Sequence, residues 1–180
     1  AKSAVARQKA IILTSKGAEL LSKEGYNIHI SPNQIKLNGT GAGLFYAVQS
    51  LMQMMPERKQ DKITLPAVII NDEPRFKYRG THLDVARHFF PISFVKKYID
   101  LLATYKMNNF HWHLTDDQGW RIEIKKYPKL TSVGGSRNGT ITGNYPGTGG
   151  TDNEIYKGYY TQEEIKLVVA YAATKYINVV

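Results

Sequence analysis

Hydrophobic and polar positions alternate in the first part of the chain with a period of two, and then with a helical period. Residues 26–30 and 35–37 alternate apolar with polar side chains on either side of the turn sequence Ser31-Pro32-Asn33. This pattern predicts a β-hairpin, because alternate side chains of a strand point to opposite faces. A helix is predicted next and ends before Pro56, since one apolar face repeats at helical spacing in Leu44, Ala47, Val48, Leu51, Met52 and Met55.

An extended segment and a cluster of breaking residues close this first region. Residues 63–65 and 68–70 are mostly apolar, and Pro66 between them favours the edge of a sheet because proline cannot donate to a strand ladder. The sequence Asn71-Asp72-Glu73-Pro74 then combines turn-forming and helix-breaking residues. We therefore place a boundary there and predict that residues 1–73 form a small α+β domain.

Strand and helix patterns alternate in the rest of the chain. Strands are predicted at 81–85, at 110–114 and from Ile177 onwards. Between them, two helix faces are predicted by the apolar spacing of Val95, Tyr98, Ile99 and Leu102, and of Ile165, Val168, Val169 and Ala172. Such alternation implies parallel βαβ units.

Capping residues indicate where these two helices begin and end. Ser93 is a candidate N-cap of the first helix, and Asn108-Asn109 is a candidate end. Thr161 and Glu164 have the T-x-x-E spacing of a capping box at the start of the second helix. A glycine-rich loop is predicted over 134–158.

The number of βα units indicates an incomplete barrel. Residues 74–180 supply the first two to two and a half βα units, whereas a complete TIM (β/α)8 barrel needs about 250 residues. A buried parallel strand at 177–180 would lack a neighbour on one side. The predicted fold class is thus α+β followed by α/β, and we expect a piece of a longer protein whose C-terminal barrel portion is missing.

Composition and charge exclude several classes of protein. The 180 residues contain no cysteine, which excludes a thiol nucleophile and a disulfide framework. No stretch approaches the roughly 20 apolar residues of a membrane span. The net charge is +9, but the basic residues are scattered and form no basic run. We therefore expect neither a membrane span nor a nucleic-acid partner.

Three polar clusters lie within or just after predicted barrel strands, near the C-terminal strand ends where βα enzymes place their chemistry. Asp84 lies close to Arg87-His88, and an arginine there could clamp hydroxyls or form a salt bridge with Asp84 or Asp116. His111 and His113 share one strand face, which fits structural histidines or, as an alternative, metal ligands.

The third cluster, Asp116-Asp117, is followed by Trp120. Adjacent carboxylates diverge, so they rarely act on one bond as acid and nucleophile. We expect one of them to orient a neighbour and the other to cap a turn. Trp120 fits a sugar platform, but packing inside the barrel is the favoured interpretation.

A long composite motif in the second region resembles that of a known enzyme family. The sequence L-D-x-x-R-H-F-F-P, followed by H-x-H-L-x-D-D-Q-G-W-R-I-E, resembles the first two barrel units of glycoside hydrolase family 20, the β-N-acetylhexosaminidases. The segment 24–56 is similar to the small α+β domain that precedes that barrel. The resemblance extends over about residues 11–180.

The resemblance implies an exo-acting hydrolase of glycans that end in β-linked N-acetylglucosamine or N-acetylgalactosamine. In such enzymes the substrate's own acetamido oxygen attacks the anomeric carbon, with retention, and no cofactor or metal is expected.

By motif position, Arg87 matches the arginine that binds the 3- and 4-hydroxyls, and Asp116 matches the far end of an Asp-His-Glu relay. His113 is expected to line the same pocket floor. An extracytoplasmic location is also implied.

The family's catalytic Asp-Glu pair is missing from this sequence. Its G-G-D-E pattern does not occur, because Gly134-Gly135 is followed by Ser136-Arg137, and the D-E at Asp72-Glu73 precedes the first barrel strand. We therefore expect no catalytic residue in this chain and no activity from it alone. Two alternatives remain: a non-catalytic carbohydrate-binding or assembly module, and a metal-dependent hydrolase that uses His111 and His113.

Overall fold

The structure is a computed structural model, and it describes residues 9–57, 62–144 and 149–180. Eleven strands and four α-helices lie in these residues, together with a 3₁₀ helix at Ala18–Leu20. The strands are β1 Ala10–Thr14, β2 Tyr26–Ile30, β3 Gln34–Gly39, β4 Val68–Asp72, β5 Gly80–Asp84, β6 Asn109–His113, β7 Thr115–Asp116, β8 Gly119–Trp120, β9 Ser136–Asn138, β10 Ile155–Lys157 and β11 Asn178–Val179. The helices are α1 Gly41–Gln53, α2 Ile92–Thr104, α3 Lys129–Ser132 and α4 Gln162–Ala173.

The chain divides into two compact units. The first comprises residues 1–79 with 103–106, and the second comprises 80–102 with 107–180. Among the described helices, none is both long and apolar enough to cross a membrane.

The first unit is a four-stranded mixed sheet covered by α1. The strand order is β1-β3-β2-β4, with β1 parallel to β3 and the other two pairs antiparallel. The predicted hairpin is confirmed as β2–β3, and β4 lies at the sheet edge, as Pro66 indicated. Residues 63–65 form no strand, so the extended return begins only at Val68.

The core of this unit lies between the sheet and α1. Ile28 and Leu37 of the hairpin are buried against Ala47 and Leu51 of the helix. Met52, predicted on the same helix face, is 61% exposed, whereas Tyr46 is buried in its place. Tyr46 can be accommodated because its hydroxyl donates to Glu24 Oε1 at 2.9 Å.

The second unit is built on a parallel three-stranded sheet. Its order is β11-β6-β5, and both strand pairs are parallel. The helices α2 and α4 connect these strands in sequence, which confirms the predicted βαβ alternation. Phe110 and Trp112 of β6 are buried on one face, together with Val95 and Ile99 of α2.

The helix termini differ in part from the prediction. Helix α2 begins at Ile92, so Ser93 lies inside its first turn rather than at the N-cap. It ends at Thr104 instead of Asn108-Asn109, because Lys106 takes a left-handed conformation at φ 57°. The Met107 N–H then donates to Leu102 O, as in a Schellman motif.

Helix α4 begins where the capping box predicts. The Thr161 hydroxyl accepts from the Glu164 N–H, and the Glu164 side chain accepts from the Thr161 N–H. Val168 and Ala172 are buried, but Val169 is 46% exposed and lies outside the packed face. The buried stripe on this helix is therefore narrower than the sequence pattern indicated.

The glycine-rich segment contains more regular structure than predicted. Within 134–158, β9 and β10 pair antiparallel, with Tyr156 opposite Arg137. The Arg137 guanidinium lies over the Tyr156 ring, 4.5 Å from its centroid. Glycine content indicated a loop here, but this side-chain stacking and the strand pairing give it a defined conformation. Residues 145–148 of the predicted loop lie outside the described residues.

Arg121 is fully buried in the second unit and donates to backbone carbonyls. Its guanidinium contacts the oxygens of Val85 (3.2 Å), Ala86 (2.9 Å), Gly135 (2.8 Å) and Gly158 (2.9 Å). Burial, followed by the nearby Arg137 charge, lowers the pKa of this guanidinium. The carbonyl oxygens replace the water that a charged group loses on burial.

Gly119 is required by the same guanidinium. A Cβ at this position would lie 2.3 Å from Arg121 Nη2 and 2.7 Å from Ala86 O. Both distances are far below van der Waals contact, so a larger residue would displace the arginine. The G-W-R sequence at 119–121 therefore has a packing reason that is independent of any chemistry.

Replacing Arg121 should strongly destabilise the second unit. We expect Arg121→Met to lower the free energy of unfolding by about 3–5 kcal/mol, because several buried carbonyls lose their donor at once. Both tryptophans of the chain, Trp112 and Trp120, lie in this unit, so urea unfolding followed by tryptophan fluorescence reports on it selectively. The exposed Arg75→Met is the matched control, and an equal loss in both variants would contradict the assignment.

Removing the capping hydroxyl of α4 should have a smaller effect. We expect Thr161→Ala to destabilise the same unit by about 1 kcal/mol, the usual cost of losing an N-cap side chain. Thr161→Ser keeps the acceptor oxygen and should remain close to the parent. If Ala and Ser unfold at the same urea concentration, the capping box contributes nothing.

Candidate functional site

The polar residues singled out in the sequence meet at the carboxyl ends of β5 and β6. Asp84 and His113 are the last residues of these strands and are register partners in the parallel pair. The chain turns tightly after β5, where Asp84 Oδ1 accepts from the backbone N–H groups of Ala86 and Arg87, each at 3.0 Å. This turn brings the Arg87 side chain back over the strand ends.

Asp116 lies at the centre of the site. Its Oδ2 atom is 2.6 Å from Arg87 Nη1 and 2.8 Å from His113 Nε2. Arg87 Nη1 also lies 2.9 Å from Asp84 Oδ2. Both salt bridges considered for Arg87 are therefore present, and both use the same nitrogen.

The shared carboxylate oxygen determines which His113 nitrogen carries the proton. An ionised carboxylate only accepts hydrogen bonds, so Nε2 of His113 must be the N–H donor to Asp116. Arg87 Nη1 also only donates, so its 3.4 Å approach to Nε2 is a contact between two donors that converge on one oxygen. In neutral His113 the lone pair is consequently on Nδ1.

The environment stabilises the charged form of both carboxylates. The His113 hydrogen bond, followed by the Asp117 N–H bond and the Arg87 charge, lowers the pKa of Asp116 to about 2. For Asp84, partial burial acts to raise the pKa, but the hydrogen bonds and charge of Arg87 outweigh it and the pKa is lowered. Both carboxylates are therefore anionic at neutral pH, and the single guanidinium of Arg87 balances only one of the two negative charges.

Arg87 keeps donors for a ligand. Its side chain is 45% exposed, and none of the described residues accepts a hydrogen bond from its Nε or Nη2. The β9–β10 hairpin supports its backbone, since Arg137 Nη1 donates to Arg87 O at 2.6 Å. Arg137 was not identified from the sequence, because nothing in its local pattern separates a supporting arginine from a surface one.

A third histidine, His82, lies beside the predicted pair His111 and His113, and it was not predicted from the sequence. One ring nitrogen from each of His82, His111 and His113 lies within 4.8 Å of the other two. His82 is the register partner of His111 on the neighbouring strand. The signal was available in the alternation His82-x-Asp84 on a strand predicted to lie beside His111-x-His113.

Asp117 contacts the Asp116 cluster through its backbone N–H, and Trp120 lies beside the cluster without bonding to it. Asp117 lies exposed in the turn between β7 and β8, and Asp116 itself accepts from the Asp117 N–H at 2.9 Å. Trp120 is half-buried rather than packed in the core; its Nε1 donates to Ile122 O at 2.7 Å. Its ring lines an open groove of about 730 Å³ whose wall also includes Tyr127, Leu130 and Val133.

The comparisons with known proteins place both units in one family. Residues 76–180 match the catalytic domain of glycosyl hydrolase family 20, and residues 1–73 match domain 2 of the same family. The chain belongs to glycosyl hydrolase family 20. This family is the one that the L-D-x-x-R and H-x-H-L-x-D-D-Q-G-W-R motifs indicated, and the site described above lies on those motifs.

Named relatives in this family are hexosaminidases. A beta-hexosaminidase of Porphyromonas gingivalis is 44% identical over 167 residues, which cover 89% of this chain and 20% of that protein. A beta-hexosaminidase of Vibrio furnissii is 43% identical over 163 residues, covering 89% of this chain and 26% of that protein. The chain thus spans about a quarter or less of the length of these relatives.

Solved structures of the family share the fold. An exo beta-N-acetylglucosaminidase of Vibrio harveyi in complex with N-acetylglucosamine is 41% identical, with a TM-score of 0.80 over 94% of this chain and 26% of that one. A mutant Streptomyces plicatus beta-hexosaminidase in complex with its product is 37% identical, also with a TM-score of 0.80. The match covers 94% of this chain and 33% of the Streptomyces plicatus chain.

The shared carboxylate should make Asp116 unusually acidic. Carbon-13 NMR of its carboxyl group should give a midpoint near pH 2, rising towards the ordinary aspartate value in His113→Phe because the largest hydrogen bond is removed. Since the folded-state pKa is depressed, this contribution to stability is complete above about pH 4 and is lost as the pH falls towards 2. His29→Phe, on β2 of the first unit, should leave the midpoint unchanged.

Proposed function

We propose that this chain forms part of the sugar-binding floor of an exo-β-N-acetylhexosaminidase. In this role Arg87 binds the 3- and 4-hydroxyls of the terminal sugar, and Asp116 belongs to the relay that tunes the catalytic acid. The convergence of Arg87, Asp116 and His113 at the ends of β5 and β6 carries this proposal. The hexosaminidase names of the relatives support it.

The strand order fits the opening units of a barrel. Strands β5, β6 and β11 lie side by side in chain order, so each βα unit adds its strand on the same side. A doubly wound sheet reverses direction at its ligand-binding point, whereas a (β/α)8 barrel never does. We infer that residues 80–180 represent the opening units of such a barrel, with its substrate above the carboxyl ends of the strands.

The free donors of Arg87 suit neighbouring hydroxyls. A guanidinium presents five N–H groups in a rigid fork, and here Nη1 is held by Asp84 and Asp116 while none of the described residues accepts from Nε or Nη2. The two carboxylates fix the plane of the fork before a sugar arrives. Such preorganisation lowers the entropy that binding costs.

The proposed reaction is substrate-assisted hydrolysis with retention. The acetamido oxygen of the terminal sugar attacks the anomeric carbon as a general acid protonates the leaving oxygen, and water then opens the oxazolinium intermediate. This chain's residues bind and orient: Arg87 holds the sugar, and anionic Asp116 stabilises a positively polarised imidazole that in turn contacts the acid. His113 is proposed to line the pocket floor and contacts Asp116 at 2.8 Å, whereas the histidine that couples the relay to the acid is not among the motif positions matched in this chain.

The chain alone is proposed to be inactive. Neither the Glu that would act as general acid nor the Asp that would orient the acetamido group occurs in a G-G-D-E pattern here. General acid catalysis alone is typically worth 10²–10⁴-fold. Incubation of the purified chain with a chromogenic N-acetyl-β-glucosaminide should therefore release no chromophore above a protein-free blank. Robust turnover would overturn this part of the proposal.

Sugar binding should separate this role from that of a true carbohydrate-binding module. Because Arg87 contacts hydroxyls and this chain lacks the acetamido pocket, N-acetylglucosamine and glucose should bind equally and weakly, with Kd above about 1 mM. The measurement is the sugar-induced shift of signals in ¹H–¹⁵N spectra: the Arg87 Nε–Hε signal in the parent, which 4-deoxyglucose should shift less, and the backbone amides of residues 84–86 and 116–117 in every variant. Arg87→Gln should abolish specific binding, whereas Arg75→Gln should not.

Two results would contradict this assignment. Tight, N-acetylglucosamine-selective binding by the chain would favour the independent carbohydrate-binding module. Equal binding of glucose and 4-deoxyglucose would show that Arg87 does not contact the hydroxyls.

A further inference from the structure

Three histidines share the face of the parallel sheet that lies opposite its core. His82, His111 and His113 contribute one nitrogen each to a group whose members all lie within 4.8 Å of one another. The ring centroids are 4.7 Å apart for His82 and His111, and 5.2 Å apart for His82 and His113. No role in the proposed sugar chemistry accounts for His82 or His111.

The strand register explains why these three rings meet. Residues two apart on a strand share a face, which aligns His111 with His113. Parallel pairing then sets His82 directly beside His111, on the same side of the sheet. Phe110 and Trp112 alternate with the histidines and are buried on the other side, so the register of the ladder is fixed by the core.

The surrounding charges favour a cation. Asp84 and Asp116 contribute two negative charges at the edge of this face, and Arg87 contributes one positive charge, which leaves a net charge of −1. The Asp116 carboxylate orients the His113 ring through Nε2 and leaves the Nδ1 lone pair. A carboxylate that holds the second nitrogen of a histidine is the usual support of a metal-binding imidazole.

We propose that His82, His111 and His113 form a binding site for a divalent late first-row transition metal, with Zn²⁺ as the probe ion. Imidazole nitrogens suit zinc, copper and nickel, whereas Mg²⁺ and Ca²⁺ require oxygen ligands. This site shares His113 with the proposed sugar pocket, but His82 and His111 are two ligands that the sugar pocket does not require. It differs from the two-histidine arrangement considered from the sequence in having three protein ligands, which leaves one tetrahedral position open.

The rings need only a small adjustment to reach ligand geometry. Zn–N bonds of 2.0–2.1 Å in a tetrahedral site separate the ligand nitrogens by about 3.3 Å. His82 and His111 are exposed, so their rings can rotate without displacing core atoms. His113 is the fixed member, since Asp116 holds it at 2.8 Å.

Isothermal titration of the tag-free chain with Zn²⁺ tests the proposal. We expect one ion per chain with a submillimolar Kd, and at least about tenfold weaker binding in His82→Gln and in His111→Gln, the loss that even outer partners of metal ligands produce. The chain has five histidines, so His29→Gln and His88→Gln are matched controls that should bind as the parent does. Mg²⁺ should give no binding heat.

A spectroscopic measurement keeps the test sharp if a variant is less stable. Co²⁺ in place of Zn²⁺ should give visible absorption of tetrahedral intensity with the parent and both control variants, and weaker absorption with His82→Gln. Circular dichroism of each variant verifies that it is folded. Zn²⁺ binding that is absent in the parent, or that is unchanged in His82→Gln and His111→Gln, would overturn the proposal.

Discussion

The buried Arg121 guanidinium determines the arrangement of the second unit around the candidate site. It draws the carbonyl oxygens after β5, at Val85 and Ala86, towards those of Gly135 and Gly158 in the β9–β10 region. Without Arg121 the oxygens of Val85, Ala86 and Gly158 would lose this donor, whereas Gly135 O would keep the Gly158 N–H at 3.1 Å. A single side chain thus satisfies several loop carbonyls, and it does so only because Gly119 leaves room for it.

The candidate site inherits its geometry from this arrangement. The segment held by Arg121 at Ala86 is followed directly by Arg87, whose own carbonyl accepts from Arg137. The chain position of Arg87 is therefore set by two other arginines, one buried and one stacked on Tyr156. Its guanidinium is in turn held by carboxylates, so both ends of the residue are constrained. This separation of support from contact is how rigid scaffolds position a binding group.

Local patterns in the sequence predicted local structure well. The β2–β3 hairpin, the βαβ alternation and the Thr161–Glu164 capping box follow from spacings within a few residues, and the structure confirms them. The end of α2 at Thr104 was missed because Lys106 adopts a left-handed conformation, and a lysine gives no sequence signal for that conformation. Met52 was predicted on the packed face of α1 but is exposed. Helical spacing identifies the residues that share a face, whereas the width of the sheet determines how many of them are covered.

For the site, the structure brings Arg87, His113 and Asp116 together near the ends of β5 and β6; the Arg87–Asp116 salt bridge was one of the interpretations from the sequence, but the sharing of one oxygen with His113 was not. That Asp116 Oδ2 serves both partners depends on the register of β5 with β6 and on the turn after Asp84. His82 was missed for a similar reason, since its neighbours lie on another strand. Long-range pairing is the information that a single sequence carries least directly.

The three-stranded sheet has a practical consequence for anyone who handles this polypeptide. Strands β11 and β5 each pair with β6 only, within the residues described, so their outer backbone groups have no strand partner there. Unpaired strand edges are templates for joining other chains. Self-association should therefore grow with protein concentration. The properties of the monomer are best measured in dilute solution, in the presence of a chaperone, or with the strand edges blocked.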